Sequence, residues 1–169
     1  MPYGPIPPRG LPQQDQEKIL MLASHWQRAA AAHATWAEKA KECVDLFEGR
    51  QWDEEMLKKL SAQKRPALTF NKTAALVRLI LGYHRNNRTD VRYLPGQDSL
   101  ASEQVAEVLT RIAKQISEAN HLPFVDTEVF LDGIVAGRGF YDARLDFQNN
   151  DLGETVIRAL DPFATYLDP

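Results

Sequence analysis

In this sequence of 169 residues, two groups of carboxylate side chains have the spacing best suited to acid–base or metal chemistry. Asp53 is followed by two glutamates, but it fits the N-cap of a helix whose first turn those glutamates stabilise. Asp142 and Asp146 lie on one face of a predicted strand with Arg144 between them, a pattern typical of an ion-paired surface. We therefore expect neither group to be catalytic.

The histidine, cysteine and glycine patterns supply no site for a metal or a nucleotide. His33 lies in an apolar stripe, and neither it nor His25 has an acidic or sulfur neighbour at ligand spacing, so we expect a hydrogen-bonded packing role for His33. Cys43 is the single cysteine, which excludes a disulfide or a cysteine-based zinc site within one chain. The glycines of residues 133–139 lack the dinucleotide-binding spacing and precede a strand. We predict no catalytic residue, no cofactor and no metal.

Charge is the remaining chemical signal. Residues 50–92 contain 10 basic and 4 acidic side chains, whereas residues 98–169 contain 5 basic and 13 acidic ones. Such segregation suits either a nucleic-acid face or the packing of a basic block on an acidic block in the same or an adjacent subunit, and we favour the second. We predict contacts between elements or subunits for four basic or amide residues and for all three tryptophans: Arg85, Asn86, Arg88, Arg92, Trp26, Trp36 and Trp52.

A long helix must position the first of these residues. Residues 1–12 contain five prolines and are predicted to be an extended arm. Residues 13–48 have a helical pattern that Gly49 ends, and its length of about 50 Å exceeds the core of a compact domain of this size. Its apolar residues recur at steps of three and four, which predicts packing along other structure: Ile19, Leu22, Trp26, Ala29, His33, Trp36, Ala40, Cys43 and Phe47.

Residues 49–169 are predicted to form an α+β domain with a bundle-like helical part and a small antiparallel hairpin. We expect helices over 54–62, 71–87, 98–119 and 123–136, and strands over 90–94, 141–147 and 154–160. In the helix over 71–87, Leu76, Leu79, Ile80 and Tyr83 lie on one face, and Val77 and Leu81 widen it, so the pattern predicts a buried central helix. The strand over 141–147 alternates apolar and charged residues and is predicted to be half-buried.

The ends and the hydropathy of the chain bear on its compartment and extent. No apolar run approaches the roughly 18 residues of a membrane span, the N-terminus lacks the apolar region of a signal peptide, and the lone cysteine suits a reducing cytosol. We therefore expect no membrane partner. The chain ends on an apolar segment after only two paired strands, so we expect the native polypeptide to continue beyond residue 169.

Several segments, in this order and spacing, resemble the N-terminal region of P22-like portal proteins of tailed bacteriophages. The resemblance covers about residues 40 to 169, and the arm and the first half of the long helix carry no part of it. Its segments are Phe47-Glu48-Gly49-Arg50-Gln51-Trp52, Pro66-Ala67-Leu68-Thr69-Phe70-Asn71, Gly82-x-x-x-Asn86-Asn87-Arg88-Thr89-Asp90, residues 132–139 with the strand that follows, Leu160-Asp161-Pro162 and Tyr166-Leu167-Asp168-Pro169.

The resemblance implies a structural subunit of the head-to-tail connector, a dodecameric ring at one capsid vertex through which the genome is packaged and ejected. It implies partners: further copies of the chain, the capsid protein, the large terminase subunit that holds the ATPase, and adaptor or tail proteins. Double-stranded DNA would pass through the ring, and residues 49–169 would belong to the outer, wing-like part rather than the DNA-lined tunnel. It also implies assembly in the host cytoplasm and a place in the virion. The alternative is a nucleic-acid-binding or scaffolding module of a different family.

Overall fold

The computed structural model describes residues 12–96, 100–148 and 150–168. It contains five helices and one antiparallel hairpin in these ranges, which confirms the α+β class with a long N-terminal helix: α1 Gln13–Glu48, α2 Glu54–Ala62, α3 Lys72–Asn86, α4 Leu100–Ala119, α5 Leu122–Ala136, β1 Phe140–Asp146 and β2 Glu154–Leu160. The predicted arm, apart from Pro12, and the predicted start of the fourth helix at residue 98 or 99 lie outside the described residues.

Helix α1 ends where the sequence predicts. Gly49 adopts the left-handed conformation with a φ of 84°, and its N–H and that of Arg50 bond to the carbonyls of Leu46 and Asp45. A glycine is favoured here because a side chain is strained at positive φ. The predicted packing stripe is buried only in its middle and later part, at Ala29, His33 and Ala40. The N-terminal part of the stripe is exposed, with Leu22 at 62% and Trp26 at 56%, and Cys43 is exposed as well.

Helix α5, and not α3, is the central element of the described fold. It contacts α1, α3, α4 and β2, and its residues Val129 and Ala136 are buried. Pro123 stands in its first turn, where the missing N–H costs no helical bond, and Gly137 ends it in the left-handed conformation with a φ of 77°. Both ends of α5 agree with the sequence-based prediction. The central position in the fold, however, was predicted for the helix over 71–87 and belongs to α5 instead.

The prediction that α3 buries Leu76, Leu79, Ile80 and Tyr83 is wrong, whereas Val77 and Leu81, which were predicted to widen that face, are buried and half-buried, respectively. The inner face of α3 is the row that contains Ala74 and Val77, and the predicted row is exposed to solvent. At about 100° per residue, the centres of the two rows lie roughly 140° apart on the helix. Because apolar residues surround most of α3, the hydrophobic pattern alone does not select between them.

The hairpin forms with the predicted partners, but one predicted strand is absent. Phe140 pairs with Leu160 and Asp146 with Glu154 at the two ends of the antiparallel ladder. The predicted strand over 90–94 has no regular structure, because no described strand pairs with it; instead the Tyr93 N–H donates to the Thr110 hydroxyl of α4 at 3.1 Å. The apolar row of β1 is also more exposed than predicted, with Leu145 at 61%.

Candidate functional site

Trp36 joins the middle of α1 to the end of α5 and to the segment after β2. Its indole N–H donates to the carbonyl of Ala136 at 2.9 Å, which satisfies one of the carbonyls that the end of α5 leaves without an intrahelical partner. The Phe163 ring lies 5.3 Å from the indole between centroids, and the Arg138 guanidinium lies 4.5 Å from the indole centroid. This half-buried side chain therefore holds three parts of the chain together.

His33 and Trp26 extend the same contact region along α1 toward its N-terminus. Nε2 of His33 lies 3.0 Å from the carbonyl oxygen of Phe163, and the buried imidazole packs 4.3 Å from the Tyr166 ring. The Trp26 ring lies 4.7 Å from the same tyrosine. The hydrogen-bonded packing role predicted for His33 is confirmed. We call Trp26, His33, Trp36, Phe163 and Tyr166 the aromatic cluster.

Trp52 and Asn71 lie at a second junction, where α1 ends and α3 begins. The indole N–H of Trp52 donates to the Thr69 hydroxyl at 3.0 Å. Oδ1 of Asn71 accepts the N–H of Ala74 at 2.8 Å as the N-cap of α3, and its Nδ2 donates to the carbonyl of Phe47 at 2.7 Å. One amide side chain thus caps one helix and satisfies a terminal carbonyl of another.

The four remaining predicted contact residues lie on the surface around the end of α3. Arg85, Asn86, Arg88 and Arg92 are all exposed. Among the described residues none of the three arginines forms an ion pair or a side-chain hydrogen bond. Their cationic groups are therefore available to another chain, and their role in assembly stays a prediction.

Asn120 is a contact residue that sequence reasoning missed. Its Oδ1 accepts the Ile157 N–H and its Nδ2 donates to the Thr155 carbonyl, both at 2.8 Å, so its amide binds the outer edge of β2 as a neighbouring strand would. In the sequence, Asn120 is recognisable only as a residue at the end of a predicted helix. Phe163 and Tyr166 were also missed as contacts, because their partner His33 lies some 130 residues earlier in the chain.

Replacing Asn120 with alanine is expected to lower the free energy of unfolding by about 1–2 kcal/mol, because two hydrogen bonds to a partly solvated strand edge are lost. Hydrogen exchange of the Ile157 amide should accelerate more than that of amides inside α1. Asn120→Asp is the matched control, since the carboxylate still accepts from Ile157 but has no proton to donate to Thr155. Unchanged Ile157 exchange in the alanine variant would refute the edge-binding role.

The carboxylates considered for catalysis lie at structural positions. Asp142 forms an ion pair with Arg144 at 2.9 Å, and Asp53 stands at the N-cap of α2, where its side chain makes no capping hydrogen bond. Tyr141 donates to Asp126 of α5 at 2.6 Å, and partial burial, followed by that carboxylate, raises the pKa of Tyr141 to about 12. No group of three or more potential metal-ligating side chains occurs in the described ranges, and no described helix is long and apolar enough to cross a membrane.

The hydrogen bonds and ring contacts described above join elements that lie far apart in the sequence. The chain belongs to the phage P22-like portal protein family, whose model matches residues 23–169. The match extends further toward the N-terminus than the motifs, which begin near residue 40, and it includes Trp26, His33 and Trp36 of the aromatic cluster. None of the curated proteins compared with the chain matches it.

Proposed function

We propose that the chain forms part of the portal ring of a tailed bacteriophage, through which the genome is packaged and later ejected. The observation that carries the proposal is the portal-family match over residues 23–169. In this function the ring has 12 copies, as the family implies, and occupies one vertex of the capsid in the virion after assembly in the host cytoplasm. Its partners are the capsid protein, the large terminase subunit, and adaptor or tail proteins.

The surface of the described chain suits a ring. A cyclic head-to-tail assembly requires two different complementary faces on each subunit. The chain has exposed arginines at the end of α3 that form no ion pair with the described residues, and an excess of acidic residues in the segment that contains α4, α5 and the hairpin. Electrostatic complementarity of this kind fixes register and orientation between subunits.

The structural role implies that the chain is not an enzyme, with ATP hydrolysis left to the terminase. The aromatic cluster, the Asn71 junction and the Asn120 contact all hold elements together through hydrogen bonds from side chains to the backbone. Turnover of ATP with Mg²⁺ by the purified chain would contradict this assignment.

Arg88→Ala separates the portal proposal from a nucleic-acid-binding module. We expect at least a tenfold lower yield of rings, because truncating one partner of a desolvated charge pair costs several kcal/mol, whereas an exposed pair contributes at most about 1 kcal/mol. Affinity for double-stranded DNA should stay nearly unchanged. Sedimentation measures ring assembly. DNA binding at two salt concentrations measures the electrostatic contribution to the DNA affinity.

Arg144→Ala is the matched control for Arg88→Ala, because Arg144 is an exposed arginine that already pairs with Asp142 of its own chain. The control should leave ring yield within about twofold of the parent, as expected for an exposed ion pair. Normal assembly of Arg88→Ala, with weaker DNA binding and a salt dependence shallower by about one unit, would support the nucleic-acid module instead.

A further inference from the structure

Strand β1 has an outer edge to which no described strand is paired. The sheet has two strands, and among the described elements β1 packs extensively on β2 alone. The Asn120 amide bonds to odd-numbered residues of β2, so the even-numbered residues form the ladder between the two strands. By the same register, the backbone groups of Tyr141, Ala143 and Leu145 point away from β2. We call this row of backbone groups the β1 edge.

The β1 edge has the properties of a template for a further strand. No described residue bonds to the backbone N–H or carbonyl of Tyr141, Ala143 or Leu145, and all three residues are exposed. Unpaired backbone groups on an exposed strand edge bind an extended segment of another chain, and main-chain hydrogen bonds then supply the affinity.

Residues 88–92, which follow α3, form a strand-like segment without a strand partner. All five are exposed, and among the described residues their backbone groups form no hydrogen bond. Thr89 and Val91 are β-branched, which favours an extended conformation. The chain therefore contains an edge without a strand and, elsewhere, a strand-like segment without an edge. We call the latter the 88–92 segment.

The charges of the 88–92 segment and of β1 match in sign and in spacing. At every second residue the two segments have opposite charges: Asp142, Arg144 and Asp146 in β1, and Arg88, Asp90 and Arg92 in the 88–92 segment. Opposite charges on neighbouring strands stabilise a sheet, whereas like charges destabilise it. A register that places Asp90 opposite Arg144 forms all three charge pairs at once.

The Tyr93 N–H determines the direction of such a strand. Because it donates to the Thr110 hydroxyl of α4, the even-numbered residues of the 88–92 segment are those whose backbone groups can face the β1 edge. In an antiparallel pair, residues that exchange hydrogen bonds lie opposite each other, which would place the charges of the segment opposite apolar residues of β1. In a parallel pair, each residue bonds to the two residues that flank its opposite residue. The matching register therefore requires a parallel strand.

An acidic pair at the end of the hairpin has no cation of its own. Asp146 stands directly opposite Glu154 in the ladder, and neither forms an ion pair within the described residues. Like charges in this position destabilise a sheet. In the parallel register Arg92 lies beside Asp146 and supplies the missing positive charge. Asp142, by contrast, also has Arg144 and Arg158 of its own chain beside it.

We propose that the 88–92 segment of one subunit adds to the β1 edge of the neighbouring subunit as a third, parallel strand. This interface rests on the proposed ring and specifies which two surfaces of the subunit meet in it. The surfaces are different, as a head-to-tail ring requires. Backbone hydrogen bonds hold the strand, and the alternating charges set its register.

Exchange of two charges in the native polypeptide tests the pairing. Arg92→Asp and Asp146→Arg should each lower the ring yield by at least about tenfold, because like charges then face each other. The double variant should assemble within about threefold of the parent, because the pair is opposite in sign again. Arg65→Asp is the matched control, an exposed arginine outside the segment, and should assemble within about twofold. Single variants that assemble like the control, or a double variant as defective as the single ones, would overturn the interface.

Disulfide cross-linking of assembled rings tests the register independently. The parallel register places Val91 beside Leu145, so Val91→Cys with Leu145→Cys, in a Cys43→Ser background, should give on oxidation a ladder that rises in steps of one subunit. Val91→Cys with Ala143→Cys is the matched control, because these positions are too far apart for a disulfide in the parallel register and opposite in the antiparallel one. The oxidised Cys43→Ser parent gives the background. A ladder from the control pair instead would overturn the parallel strand, and a ladder from neither pair would overturn the interface.

Electron microscopy of the same samples distinguishes the failure of the interface from the failure of the ring. Rings without a ladder would overturn the interface and leave the portal function intact. A disulfide confined to single chains would also overturn the interface, because it would show that the 88–92 segment pairs with β1 of its own chain. The absence of rings in the parent would overturn both proposals.

Discussion

Trp36→Ala lowers the free energy of unfolding by about 3 kcal/mol, the largest effect that we expect from a single substitution. Removing a core tryptophan costs about 3–5 kcal/mol, and Trp36 is half-buried, which places it at the lower end of that range. The variant loses the contacts with Phe163 and Arg138 and leaves the Ala136 carbonyl without its indole donor. Urea unfolding followed by circular dichroism measures the change.

Two controls assign the loss to particular contacts. Trp36→Phe keeps an aromatic ring, although a smaller one, and removes the indole N–H that bonds to Ala136, so about 1 kcal/mol should be lost with that hydrogen bond. Trp26→Ala removes an exposed tryptophan whose described ring contact is with Tyr166, and about 1 kcal/mol should be lost there as well. A Trp36→Ala cost no larger than that of Trp26→Ala would show that the aromatic cluster does not hold α1 to the rest of the chain.

Asn71→Ala has the second-largest expected effect, a loss of about 2 kcal/mol. About half comes from the N-cap bond to Ala74, and the other half from the bond to the Phe47 carbonyl. The methyl group of alanine can form neither hydrogen bond, so both helix ends are weakened. The same urea unfolding experiment measures the loss.

Asn71→Asp separates the two halves of this effect. A carboxylate still accepts the Ala74 N–H and is favoured at a helix N-terminus, but it cannot donate to the Phe47 carbonyl. We therefore expect the aspartate variant to lose about 1 kcal/mol, and a loss equal to that of alanine would show that the cap contributes nothing.

The helix ends were predictable from the sequence because each is set by one local residue. Gly49 ends α1 through its positive φ, Asn71 caps α3 with its own side chain, and Pro123 fits only the first turn of α5. These are interactions within a few residues, and composition and spacing reveal them directly.

The packing faces and the missing strand were not predictable in the same way. Residues 74–81 of α3 are apolar on nearly every side, so the positions of α1 and α5 decide that Val77 is buried and Leu79 is not. The alternation in residues 90–94 indicates a strand, but a strand also needs a partner edge, and none is near it in the described chain.

The aromatic cluster depends on contacts between distant parts of the sequence. His33 lies in the apolar stripe of α1, which predicts that it packs against other structure. The stripe does not reveal its partners, Phe163 and Tyr166, because they belong to the last residues of the chain. The motifs that resemble portal proteins include both Leu160-Asp161-Pro162 and Tyr166, and the structure shows that this segment packs on α1. The resemblance identified the segment without revealing its contacts.

Electron microscopy of the purified native polypeptide, with its mass in solution, tests the central claim most directly. We predict closed rings with a central channel and a mass about twelve times that of one native subunit. Monomers or dimers, with a DNA affinity that falls steeply with salt, would contradict the assignment of this chain as a portal-ring subunit.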